Sequence, residues 1–114
     1  MIMYDTVKIG EKEVPMLCMA SCNVYYKQVF GEDPLKIINE TERGNAEAVD
    51  LFSKMGFIMA KHAELKSRKL MRELTEDDYV DFLDQFKNAD YLEALDKIAD
   101  VYNGHKAETS EPKK

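Results

Sequence analysis

Hydrophobic positions recur along this chain with two different periods. From Thr6 to Met16 they alternate: Val7 and Ile9 are flanked by polar residues, Gly10 and neighbouring charges interrupt, and Val14 and Met16 resume the pattern. Period two broken by a glycine predicts a β-hairpin over about 6–16. Pro15 removes a ladder donor and confines its strand to an edge. From Leu17 to Gly31 the period becomes helical. Cys18, Cys22, Tyr25 and Val29 form one stripe, and Met19, Tyr26 and Phe30 form a second beside it. This apolar face is wider than the roughly 100° of a helix buried on one side only, which makes it the expected centrepiece. Gly31 suits the left-handed stop, and Glu32-Asp33-Pro34 starts another short helix bearing Leu35, Ile37 and Ile38.

Residues Glu40 to Asn45 are polar and read as a loop. A long helix is expected from about Ala46 to about Leu74, with Val49, Phe52, Gly56, Met59, Ala60 and Ala63 on one face and Phe57 and Ile58 beside it. Gly56 weakens a helix and often marks the close approach of another one. Thr75, with Asp78 three residues on and acids between, is the clearest start signal in the chain. The helix it opens carries Tyr79, Phe82, Leu83 and Phe86. Asp90 and Glu93 repeat the capping pattern for a last helix, whose stripe is Leu92, Leu95, Ile98, Ala99 and Tyr102. The expected fold is mainly α: an N-terminal hairpin followed by a bundle of four to five helices. It forms one domain over residues 1–104, and 105–114, which contains Pro112 and no apolar periodicity, is a flexible tail.

Composition narrows the function. With 114 residues, 45% of them hydrophobic, the chain can bury one modest core. No apolar run reaches the roughly 18 residues of a membrane span, and no signal peptide is evident, so a soluble cytoplasmic protein is expected. The net charge of −6 is uneven: residues 54–73 carry +4 and residues 74–100 carry −7. An acidic surface disfavours nucleic acid, and the basic stretch reads as a solvated helix face. The acids of residues 76–100 lack the ligand order of a calcium loop. No phosphate loop, dinucleotide fingerprint, zinc-protease motif or nucleophile elbow occurs, so neither an enzyme nor a bound cofactor or metal is expected. Cys18 and Cys22 on one helix face read as small buried side chains, since a disulfide within one helix is strained. A Cys–His site would have to unite either of them with His62 across two helices, which the spacing does not support.

An interaction protein remains, and a resemblance specifies it. Ile9-Gly10, Val14-Pro15 and above all Tyr25-Tyr26-Lys27-Gln28-Val29-Phe30-Gly31-Glu32-Asp33, with a weaker likeness through Gly56–Ala60 and Tyr79–Tyr91, resemble the tail assembly chaperones of long-tailed phages and prophages of Gram-positive bacteria. The resemblance implies binding to the hydrophobic tape measure protein, which the chaperone keeps soluble, and recruitment of tail-tube subunits in the host cytoplasm. A holdase needs an apolar groove for an amphipathic helix, and the candidates are Tyr25, Tyr26, Phe30, Met55, Phe57 and Met59. For each of them the competing assignment is core packing. A docking surface predicts that charged residues at Tyr26 and Phe30 leave the domain folded. The open hairpin edge and apolar excess also suit a homo-oligomer. The alternative function is a small helical adaptor or inhibitor that binds one dedicated host or phage partner.

Overall fold

A computed structural model describes residues 3–40 and 46–104; the expected loop over 41–45 and tail over 105–114 lie outside them. The alternation near the N-terminus is expressed as an antiparallel hairpin of β1 (Met3–Ile9) and β2 (Lys12–Cys18). Val7 pairs with Val14 and Asp5 with Met16, so Val7, Ile9 and Met16 share one buried face while Lys8 and Glu13 pair on the other. Gly10 turns the chain at φ +63°, and a Cβ there would lie 2.6 Å from a carboxylate oxygen of Asp90. Glycine is needed on both counts.

The hairpin exceeds the expected 6–16 at both ends, which shifts the next element. Leu17 and Cys18 pair across the sheet with Tyr4 and Met3, and the first helix, α1, spans Ser21–Phe30. The correction has a physical origin: Val14, Met16 and Cys18 continue the period of two, while Cys18 and Cys22 are also one helical turn apart. Ala20, the residue before α1, makes no side-chain cap to mark the boundary. The end of α1 is as expected, with Gly31 left-handed at φ 72° and its N–H donating to the Lys27 carbonyl at 2.8 Å. Helix α2 is Pro34–Glu40, and Asp33 Oδ1 accepts from the Leu35 N–H at 3.1 Å.

The single long helix expected next is two. Helix α3 is Ala46–Leu65 and α4 is Arg68–Arg72. Between them Lys66 adopts a left-handed φ of 52°, and Ser67 is extended and caps α4 by accepting from the Leu70 N–H. Helix α5, Glu76–Leu83, opens on the anticipated capping box: the Asp78 N–H donates to Thr75 Oγ1, and the Thr75 N–H to Asp78 Oδ2 at 2.9 Å. Helix α6, Asn88–Tyr102, begins without a side-chain cap, so Asp90 lies within its first turn, where an acid favours the helix dipole, and caps nothing. Six helices are present among the described residues, one beyond the expected range because of the break at Lys66.

The organising element is α3, not α1. Residues 55–60 of α3 are all buried, whereas α1 leaves Val24 62% exposed. Only a helix covered on every side tolerates such a run. Strand β2, α6, α1, α2, α4 and α5 all pack against α3, and β1 rests on α6. Gly56 is where α6 crosses closest: a Cβ there would lie 2.8 Å from the Tyr91 hydroxyl and 2.9 Å from Ile98 Cδ1. Among the described residues no helix is long and apolar enough to cross a membrane.

Candidate functional site

The six residues expected to line a docking groove come together, but inside the molecule. Tyr26, Met55, Phe57 and Met59 are fully buried, Tyr25 is nearly so, and Phe30 is half-buried. Helix α5 occupies the space expected for a partner. Tyr79 stands edge-on to Phe30 with centroids 5.2 Å apart, and Phe57 meets both Tyr79 and Phe82 within 5.7 Å. Phe82 and Tyr91 extend this aromatic core to α6. The width of the apolar stripes on α1 and α3 thus reflects a two-sided core within one domain.

Polar groups close the rim of this cluster. The Tyr26 hydroxyl donates to Glu32 Oε1 at 3.1 Å, and burial, then the Glu32 charge, pushes the phenol up in pKa. Lys54 lies 5.1 Å above the Phe30 ring centroid and 2.8 Å from Asp50 Oδ2. Burial pulls its ammonium down, but the hydrogen bond to Asp50 and the charges of Asp50 and Glu32 leave it above the ordinary lysine value. The Tyr91 hydroxyl donates to the Ser53 carbonyl at 2.6 Å, and Ser53 Oγ lies 2.7 Å from Tyr79 Oη.

Apolar surface exists elsewhere. Tyr4, Val24, Leu35, Val49, Leu70, Val80 and Leu92 are all more than a third exposed. Three of them border two grooves that share Phe86. The first, about 450 Å³, runs from Tyr4, Val14 and Pro15 of the hairpin to Phe82 and Phe86. The second, about 410 Å³, lies among Val49, Leu83, Phe86 and Leu92. The helical period alone places Val49 and Leu92 on inward stripes. On α6 the buried positions are Tyr91, Ala94, Leu95, Ile98, Ala99 and Val101, so the stripe is turned one residue toward Tyr91, leaving Leu92 48% exposed. An aromatic at position 91 is the signal that could have set this phase.

The fold also joins one cysteine to a histidine, a pairing that spacing in the sequence does not indicate. Cys22 Sγ is 3.4 Å from His62 Nδ1, and the Tyr25 ring stands edge-on to the imidazole at 5.5 Å. His62 is buried, and that burial holds it below the ordinary imidazole value. Cys18 and Cys22 do not share a helix. Cys18 ends β2 and donates to the Tyr102 carbonyl at 3.5 Å, while Cys22 in the first turn of α1 donates to the Leu17 carbonyl at 3.4 Å. The neighbouring Cys22 thiol lowers the pKa of Cys18 against the opposing effect of burial, and Cys18, with burial, raises that of Cys22. Among the described residues no three His, Cys, Asp or Glu side chains converge as a metal site would require. No protein-family model, curated protein or solved structure matches this chain.

Proposed function

We propose that this protein is a tail assembly chaperone of a long-tailed phage or prophage. It binds the amphipathic helices of the tape measure protein, holds that protein in solution in the bacterial cytoplasm, and assists recruitment of tail-tube subunits around it. The observation that carries the reading is the pair of adjoining apolar grooves at Phe86, flanked by the exposed Tyr4, Val49 and Leu92. A solvated apolar strip of this kind suits helix-in-groove recognition, in which side chains one turn apart dock together. The likeness around Tyr25–Asp33 supports the same assignment. Because those residues are mostly core, the client surface proposed here is the Phe86 strip, and the Tyr25–Asp33 segment keeps the domain folded beneath it.

The test is co-expression with the tape measure protein of a long-tailed phage. With the wild-type chain present, the client is expected in the supernatant. Leu92→Lys and Tyr4→Lys, both at half-exposed positions, are expected to lose that rescue while circular dichroism and the melting temperature stay unchanged. A client that precipitates equally with and without this chain rejects the chaperone reading. Rescue of this one client and of no other coiled-coil protein would favour the dedicated-adaptor alternative.

A further inference from the structure

We propose that Cys18 and Cys22 form a peroxide-oxidisable dithiol in which half-buried Cys18 is attacked first, buried Cys22 resolves, and His62 receives the Cys22 proton. The inference is independent of the chaperone reading. It rests on four placements. Cys18 lies at the end of a strand and is partly open to solvent, whereas Cys22 is fully buried. Cys22 Sγ is held against the end of β2, 3.4 Å from the carbonyl oxygen of Leu17, the residue bonded to Cys18, so its sulfur sits beside the peptide that carries Cys18. The two residues belong to different elements, so the strain of a bridge within one helix does not arise; closing it requires the sulfurs to approach to about 2.05 Å. His62 Nδ1, 3.4 Å from Cys22 Sγ, is a neutral acceptor when its hydrogen is on Nε2.

The chemistry balances with hydrogen peroxide as the oxidant. The Cys18 thiolate attacks one peroxide oxygen: an S–O bond forms, the O–O bond breaks, and hydroxide leaves to take up a proton as water. Cys18 becomes a sulfenic acid. Cys22 passes its proton to His62 Nδ1, and its thiolate attacks the Cys18 sulfur. The S–S bond forms, the S–O bond breaks, and the departing hydroxide recovers the proton from His62 as a second water. Two thiols lose two electrons in all, and one peroxide is reduced. Peroxide reaches the half-exposed Cys18 before the buried Cys22, which sets the order of attack.

The experiment treats the full folded chain with hydrogen peroxide, alkylates it in denaturant, and maps the tryptic peptide 13–27, which contains both cysteines. The wild type is expected to lose both alkylation sites together and to recover both on reduction. Cys22→Ser should stop at a sulfenic acid on Cys18 that a cyclic 1,3-dione captures. Cys18→Ser should leave Cys22 unmodified. His62→Gln, checked for folding by circular dichroism, should slow bridge closure about tenfold or more without changing the rate of Cys18 oxidation. Three results would overturn the proposal: a persistent dione adduct in the wild type, oxidation of Cys22 in Cys18→Ser at the wild-type rate, or thiols that react only after unfolding.

Discussion

Replacing Gly56 by alanine sets two effects of opposite sign against each other, and the structure decides between them. In an isolated helix the change gains about 1 kcal/mol, because glycine loses more backbone freedom on folding. Here the added methyl carbon meets the Tyr91 hydroxyl at 2.8 Å and Ile98 Cδ1 at 2.9 Å, both closer than unstrained contact. Neither neighbour can retreat freely. Ile98 is fully buried, and the Tyr91 oxygen is tied by its 2.6 Å hydrogen bond to the Ser53 carbonyl, one turn before Gly56 on α3. Overpacking of this kind costs about 1–3 kcal/mol, and a lengthened hydrogen bond about 1 kcal/mol more. The net expectation is a loss of about 1–3 kcal/mol, with the propensity gain only partly offsetting the clash. Urea unfolding followed by far-ultraviolet circular dichroism should show the midpoint falling by about 1 M at unchanged slope. Adding Tyr91→Phe separates the causes. If the hydroxyl is the obstacle, the double variant loses less than the sum of the two single variants, by about 0.5 kcal/mol or more. A Gly56→Ala protein as stable as the wild type would falsify the close crossing of α3 and α6.

Three further outcomes are expected. Tyr26→Asp should unfold the domain, because it leaves a cavity and an unpaired charge beside Glu32 and Asp50, whereas Tyr26→Phe should cost only about 1 kcal/mol for the lost bond to Glu32; a folded Tyr26→Asp variant with an unchanged melting temperature would restore the docking-surface expectation. Asp5 faces the core opposite Met16, and its Oδ2 is buried with no hydrogen-bond partner among the described residues, so Asp5→Val should raise stability by about 1 kcal/mol in thermal melts, and a loss would show that the carboxylate is compensated. Because burial depresses the folded-state value of His62 below 6.5, the unfolded chain binds the additional proton and stability should fall as the pH drops below about 6.5, with a slope of at most about 1.4 kcal/mol per pH unit. His62→Gln should flatten that slope in urea titrations between pH 7 and about 5.5, and an unchanged slope would assign the effect to other groups.

How much of this could be read beforehand depended on whether a residue's signal was local. Thr75 and Asp78 declared their helix start because both halves of the capping box lie within four residues. Gly31 declared a helix end for the same reason, and Gly56 a close crossing. The β2–α1 boundary was illegible because Cys18 and Cys22 satisfy a helical period across a strand end and a turn. The break at Lys66 was hidden because a lysine gives no sign of adopting a left-handed backbone. The candidate groove failed for a non-local reason. The apolar faces of α1 and α3 were correctly seen as wide, but only the three-dimensional arrangement reveals that Tyr79 and Phe82 from α5 cover them. Nor does spacing in sequence indicate that residues 22 and 62 meet.

The resting of β1 on α6 sets the order in which the molecule can be completed. Lys97 Nζ reaches the Thr6 carbonyl at 3.4 Å across 91 residues, Asp90 fits against Gly10, and the Tyr102 carbonyl meets Cys18. Of the described elements the hairpin is therefore the first to be synthesised and among the last to be covered. At about 5–20 residues per second, Val7 and Ile9 wait several seconds for the helix that buries them. Until α6 emerges, a two-stranded hairpin with an uncovered apolar face is only marginally stable. Closure between distant parts of the chain makes late docking of α6 the step at which the nascent protein becomes committed to its fold.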